Sequence, residues 1–115
     1  MDMESILLSI KAMLGPSAED PHFDPEIIMH INSVFMDLTQ IGVGPADGFV
    51  IEDETTEWTD FVADIKKLAA IKSYMYLRVR LLFDPPASGT IVEAMNRDID
   101  RYEWRISHAV EITES

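Results

Sequence analysis

The chain has 115 residues, 47% of them apolar, which is enough for one core of its own and for residues 1–115 to form a single domain. It has no cysteine and a net charge of −12, so disulfides, thiolate chemistry and a basic phosphate-binding face are all excluded. No run approaches the ~20 apolar residues of a membrane span, and Asp2 and Glu4 stand where a signal peptide carries basic residues, so a soluble, cytoplasmic chain without a membrane partner is expected.

Met3, Ile6, Leu7, Ile10, Met13 and Leu14 recur at three- and four-residue spacings, which predicts a first amphipathic helix over 3–14, stopped by Gly15-Pro16. Ser17 to His22 is a polar connection. Asp24-Pro25-Glu26 then supplies an N-cap, a proline suited to the first helical position and an acid favourable to the helix dipole. The second helix follows, with Ile27, Ile28, Ile31, Val34, Phe35, Leu38 and Ile41 on one face and Gly42 as a left-handed C-cap.

The period changes between Gly42 and Trp58. Gly44-Pro45 and Asp47-Gly48 are turn dipeptides and Phe49-Val50-Ile51 is β-prone, so a short β-hairpin or an extended loop is expected. Thr59 or Asp60 is placed to cap a third helix, the longest element, which runs to Phe83 and ends at Asp84-Pro85-Pro86 because proline disfavours helix in the residue before it. Its segment from Leu68 to Phe83 is apolar over more than one stripe, so it is either central or shared with a neighbour. Thr90 and Glu93 form a capping-box pattern, and Ile91, Met95, Ile99, Tyr102 and Ile106 trace one face of the last helix, with Val110 to Ser115 fraying or extending. The fold class is therefore mainly α: a small four-helix bundle-like domain with one loop or hairpin between helices two and three.

Little in the sequence points to catalysis. His22, His30 and His108 lie too far apart to gather a metal on one helix, and His30 borders an apolar face as a core histidine does. Asp60 and Asp64 share a helical face but read as a solvated acidic surface, not as an acid–base pair. The glycines of 42–48 lack the lysine of a phosphate loop. No catalytic residue, cofactor or metal is expected.

Two features suit assembly instead. Phe49, Ile51 and Trp58 are large apolar side chains on a polar connection and must cover either their own core or another subunit. Charge is also divided: residues 1–65 hold 14 acids and one base, giving −13, and residues 66–115 hold 7 acids and 8 bases, giving +1. Arg97, Arg101 and Arg105, four residues apart, form one basic ridge, for which Asp53 and Glu54 of a neighbour are the first candidate partners.

Three segments, FDPEIIMHINSVFMDLTQIGVGP at 23–45, GFVIEDETTEWTDF at 48–61 and IKSYMYLRVRLLFDPP at 71–86, resemble the small head-to-tail connector (adaptor) proteins of siphophages. The resemblance covers nearly the whole chain and is most specific at Leu81-Leu82-Phe83-Asp84-Pro85-Pro86, an aliphatic-aromatic helix end followed by a proline break. It implies a structural virion protein of the neck, made in the host cytoplasm and assembled as a homo-oligomeric, dodecameric ring. Such a ring contacts the portal protein on one side and a stopper or tail-completion protein on the other, and DNA passes through it during packaging and ejection without specific binding. On this reading Phe49, Ile51, Asp53, Glu54, Trp58, Arg97, Arg101, Arg105, Val110 and Ile112 form subunit or portal contacts. The alternative is a small acidic phage decoy that mimics DNA phosphates and inhibits a host DNA-binding enzyme.

Overall fold

The computed structural model describes residues 4–114, with side chains described through residue 108. Five helices follow one another: α1 (Ile6–Leu14), α2 (Asp24–Gln40), α3 (Trp58–Phe61), α4 (Ile65–Phe83) and α5 (Gly89–Glu114). The protein is mainly α, as expected. The only β pairing among the described residues is an isolated antiparallel bridge between Ser5 and Glu57, so residues 42–57 form an extended loop and no hairpin.

Several helix ends differ from the sequence reading, each for a local hydrogen-bonding reason. Ser5 accepts a hydrogen bond from the Leu8 N–H, which starts α1 at Ile6, while Met3 lies outside the described residues. Asp24 lies inside α2 and does not cap it; its carboxylate pairs with Lys11 of α1 at 2.6 Å. The third helix is divided. Glu57 and Asp60 form a reciprocal capping box around the single turn of α3, Val62 is extended, and Asp64 accepts from the Lys66 N–H to start α4. The two carboxylates of Asp60 and Asp64 are thus helix caps. Because α4 starts late, α5 is the longest element, with 26 residues against 19. Thr90 is in its first turn, and the Ser88 hydroxyl accepts from the Ile91 N–H.

The C-terminus of α2 closes as sequence suggested. The Gly42 N–H donates to Thr39 O and the Val43 N–H to Leu38 O, with Gly42 at φ +87, a complete Schellman motif whose apolar partners Val43 and Leu38 are both buried. At the end of α4, Asp84 leaves the helix at φ −151, as the following prolines demand.

α4 is central. Its buried side chains Leu68, Ile71, Tyr74, Met75 and Val79 face α1, α2 and α5 together, whereas α2 and α5 touch one another little. One contiguous core joins all five helices and the loop. Each large side chain that it buries contributes about 1.5–3 kcal/mol. Ile91, assigned by its period to the inner face of the last helix, is half exposed because the packed part of α5 begins at Met95.

Candidate assembly surfaces

The loop between α2 and α3 is held to its own subunit. Asn32 of α2 treats Ile51 as a neighbouring strand would: its side-chain amide donates to Ile51 O at 3.0 Å, and its carbonyl accepts from Ile51 N–H at 2.8 Å. This satisfies the loop backbone and turns the Ile51 side chain inward, where it is 1% exposed. Trp58 is also 1% exposed and donates its indole N–H to Ser9 Oγ at 2.8 Å. Phe49 is half-buried, with its ring 5.0 Å from Phe35 and 5.1 Å from Phe61. Of the two outcomes that the sequence left open, packing on the same subunit is the one observed. Ile51 and Trp58 therefore belong to the core and present little surface to a neighbour, while Phe49 packs against the core and keeps one part of its ring in an open groove.

Among the residues that the loop exposes are Asp47, Val50 and the acids Glu52, Asp53 and Glu54. The hydroxyl and the backbone N–H of Thr55 both donate to the Asp53 carboxylate, which holds its pKa below the ordinary value and keeps it ionised.

Arg97, Arg101 and Arg105 are all exposed on α5 and form the expected ridge. Arg101 pairs with Asp98 at 2.9 Å, and the guanidinium groups of Arg101 and Arg105 lie 5.9 and 5.7 Å from the Tyr102 ring. Among the described residues no ion pair joins this ridge to Asp53 or Glu54 of the same chain. The side chains of Val110 and Ile112 lie outside the described residues.

Two surface features were missed in the sequence. Trp104 lies on the ridge between Arg101 and Arg105; it is 61% exposed and stacks on His108 with ring centroids 3.7 Å apart. An open groove of about 590 Å³ runs between α2 and the loop, with Met29, Met36, Phe49, Val50 and Asp47 among its lining residues. Met36 is 64% exposed. Both features carried a signal, since Met29 and Met36 stand seven residues apart off the buried stripe of α2, and Trp104 stands off that of α5.

A polar chain links the three long helices. Arg78 of α4 donates to Asp37 of α2 at 2.6 Å and to the Tyr74 hydroxyl at 2.7 Å, and that hydroxyl donates to Glu103 of α5 at 2.8 Å. Burial, then the bond to Glu103, pushes the Tyr74 pKa up to about 12, so the hydroxyl remains a donor throughout the neutral range. Every member has a partner, as a polar network at the edge of a core requires.

Among the described residues no group of three His, Cys, Asp or Glu side chains is placed to hold a metal ion, and no helix is long and apolar enough to cross a membrane. The surfaces among the described residues include an acidic loop, a basic ridge with an exposed tryptophan, and a largely apolar groove. No curated protein and no solved structure matches the chain. A family model described as phage connector protein matches residues 6–113.

Proposed function

Since the chain belongs to the phage connector protein family, we propose that it is a non-enzymatic subunit of the virion neck, assembled as a homo-oligomeric ring between the portal and the stopper or tail-completion protein. The observation that carries this reading is the extent of the family match, from α1 through nearly all of α5. Ring closure needs heterologous contacts, in which one surface of each subunit meets a different surface of the next. The basic ridge of α5 and the acidic loop at 52–54 would serve as two such surfaces, unlike in charge and, among the described residues, not joined to one another by an ion pair. In a channel, the excess of carboxylates keeps DNA phosphates from adhering, so that DNA passes without specific binding. A decoy role against a host DNA-binding enzyme rests on the net charge alone, and the ridge, groove and family match give it no support.

Charge reversal tests the contact. Arg101→Glu in the full-length protein, mixed with purified portal, is expected to weaken ring assembly about twofold to tenfold at low salt, because an exposed pair contributes ~0.2–1 kcal/mol and reversal replaces attraction by repulsion. The difference should fade above about 0.5 M salt, where the screening length is only a few ångströms. Asp53→Arg in the same chain should restore part of the loss, and the melting temperature of the subunit should hardly move. Assembly indifferent to both reversal and salt would remove the ridge from the subunit contact, and failure of the unsubstituted protein to engage the portal would contradict the proposed function itself.

A further inference from the structure

We infer that the exposed indole of Trp104 on one subunit seats in the groove between α2 and the 47–50 loop of the next, forming the apolar centre of the ring contact. This inference rests on the connector reading and specifies the contact that such a ring would use.

The two surfaces match in shape and in chemistry. Trp104 projects from α5 with 61% of its surface open, and an indole removes roughly 150–250 Å² from water when it is covered. The groove has room for it at about 590 Å³, and most of its accessible lining is apolar, although Asn32, Ser33, Thr39 and Gln40 also line it. Two of its walls are methionines, Met29 and Met36, two helical turns apart on α2. Methionine fits an irregular aromatic guest because its chain is unbranched and its sulfur makes favourable contacts with ring edges.

The charges around the two surfaces are complementary as well. On α5, Arg97, Arg101 and Arg105 flank Trp104 together with Asp98, Asp100 and Glu103. Asp98 pairs with Arg101 and Glu103 accepts from Tyr74, which leaves Arg97 and Arg105 as the cations of this face without an ion pair among the described residues. The groove has no lysine or arginine in its lining, Asp47 is among its lining residues, Glu26 lies one turn before Met29, and Glu52 follows Val50 by two residues. A tryptophan in an apolar pocket with cations meeting acids around it is the arrangement of an interface hot spot, where water is excluded from the centre and charge fixes the register.

The knob and the groove belong to different helices, α5 and α2, which have little contact with each other. Trp104 is 61% exposed and is not among the residues that line the groove, so it does not fill the groove of its own subunit. An unlike pair of surfaces makes a head-to-tail contact, which closes as a ring or extends as a chain; it does not give a two-fold dimer.

The absence of native cysteine permits a clean test. Ser33→Cys places a thiol in the groove wall between Met29 and Met36, and Asp100→Cys places one on an exposed position one turn before Trp104, leaving the tryptophan intact. Full-length chains with one substitution each, mixed in the presence of portal and treated with a short bifunctional maleimide, are expected to give a covalent heterodimer, with much less product from either chain alone. A chain carrying both substitutions should give a ladder of multimers. Trp104→Ala should weaken assembly by at least about tenfold, as truncating a hot-spot tryptophan does, without changing the circular dichroism or melting of the subunit. Rings that form normally with Trp104→Ala and show no 33–100 product would overturn the inference and leave the connector function standing. A product joining residue 100 to the portal, with none joining it to residue 33, would also overturn it by giving the knob a different host. A chain that forms no ring with or without portal would overturn both.

Discussion

Trp58→Ala is expected to destabilise the isolated subunit by about 3–5 kcal/mol, the range for removing a large aromatic side chain from a packed core. Trp58 is the largest of the fully buried side chains, lies 6.3 Å from Phe35 ring to ring, and ties α3 to α1 through Ser9. Its removal leaves a cavity at the junction of α1, α2 and the loop and also deprives the Ser9 hydroxyl of its donor. Urea unfolding should show the loss as a lower midpoint with an unchanged slope. The same truncation at Trp104 should leave the unfolding free energy within about 0.5 kcal/mol of that of the unsubstituted protein, as exposed positions usually do. Equal losses at the two tryptophans would show that the burial assigned to one or the other is wrong.

Gly44→Ala should be nearly as costly. Gly44 has φ +85, a conformation that L side chains rarely adopt, and a Cβ there would lie 2.3 Å from Cε1 of Phe61. Phe61 has little room to retreat, since its ring sits 4.6 Å from Phe35 and 5.1 Å from Phe49. Backbone strain of about 1–3 kcal/mol and overpacking of about 1–3 kcal/mol act together, for an expected loss of roughly 2–6 kcal/mol. Gly48→Ala is the control: its φ is +99 but open space surrounds the position, so only the backbone part of the cost applies. If the two substitutions cost the same, the approach of Phe61 to Gly44 contributes nothing to stability.

The two positions show where sequence reading succeeds and where it stops. Periodicity found α1, α2, α4 and α5, because the residues that it marks, such as Ile27, Ile31 and Leu38, are local to one helix and are buried. The Schellman end at Gly42 and the break at Asp84 were legible for the same reason: each depends on a few adjacent residues. The division of helix three was not, since Thr59, Asp60 and Asp64 are all competent caps and the choice falls to the Glu57–Asp60 capping box and to Trp58, which must reach Ser9 across 49 residues of chain. Nor was the fate of the loop, which depends on Asn32 pairing with the backbone of Ile51 nineteen residues away. At the surface, the basic ridge was legible from its four-residue spacing, but the tryptophan within it and the methionine groove were passed over. Large apolar side chains off the buried stripe are informative only once the stripe is known to be filled by others.

The burial of the loop also changes which residues a neighbour can reach. With Ile51 and Trp58 committed to the core, what that region exposes includes the acid run 52–54, Val50 and the groove beside it. Apolar contact and charge would then act in different ways: the groove supplies affinity, while the ridge and the acids orient approach and lose influence as salt rises.

The central claim, a neck subunit that forms a ring on the portal, is tested most directly by electron cryomicroscopy of the full-length protein bound to purified portal. The expected image is a closed ring of copies coaxial with the portal channel, each helical subunit presenting α5 to the α2 side of the next, with an open lumen wide enough for a DNA duplex. Portals that remain bare, with the chain left as free monomer at concentrations well above those in an infected cell, would contradict it.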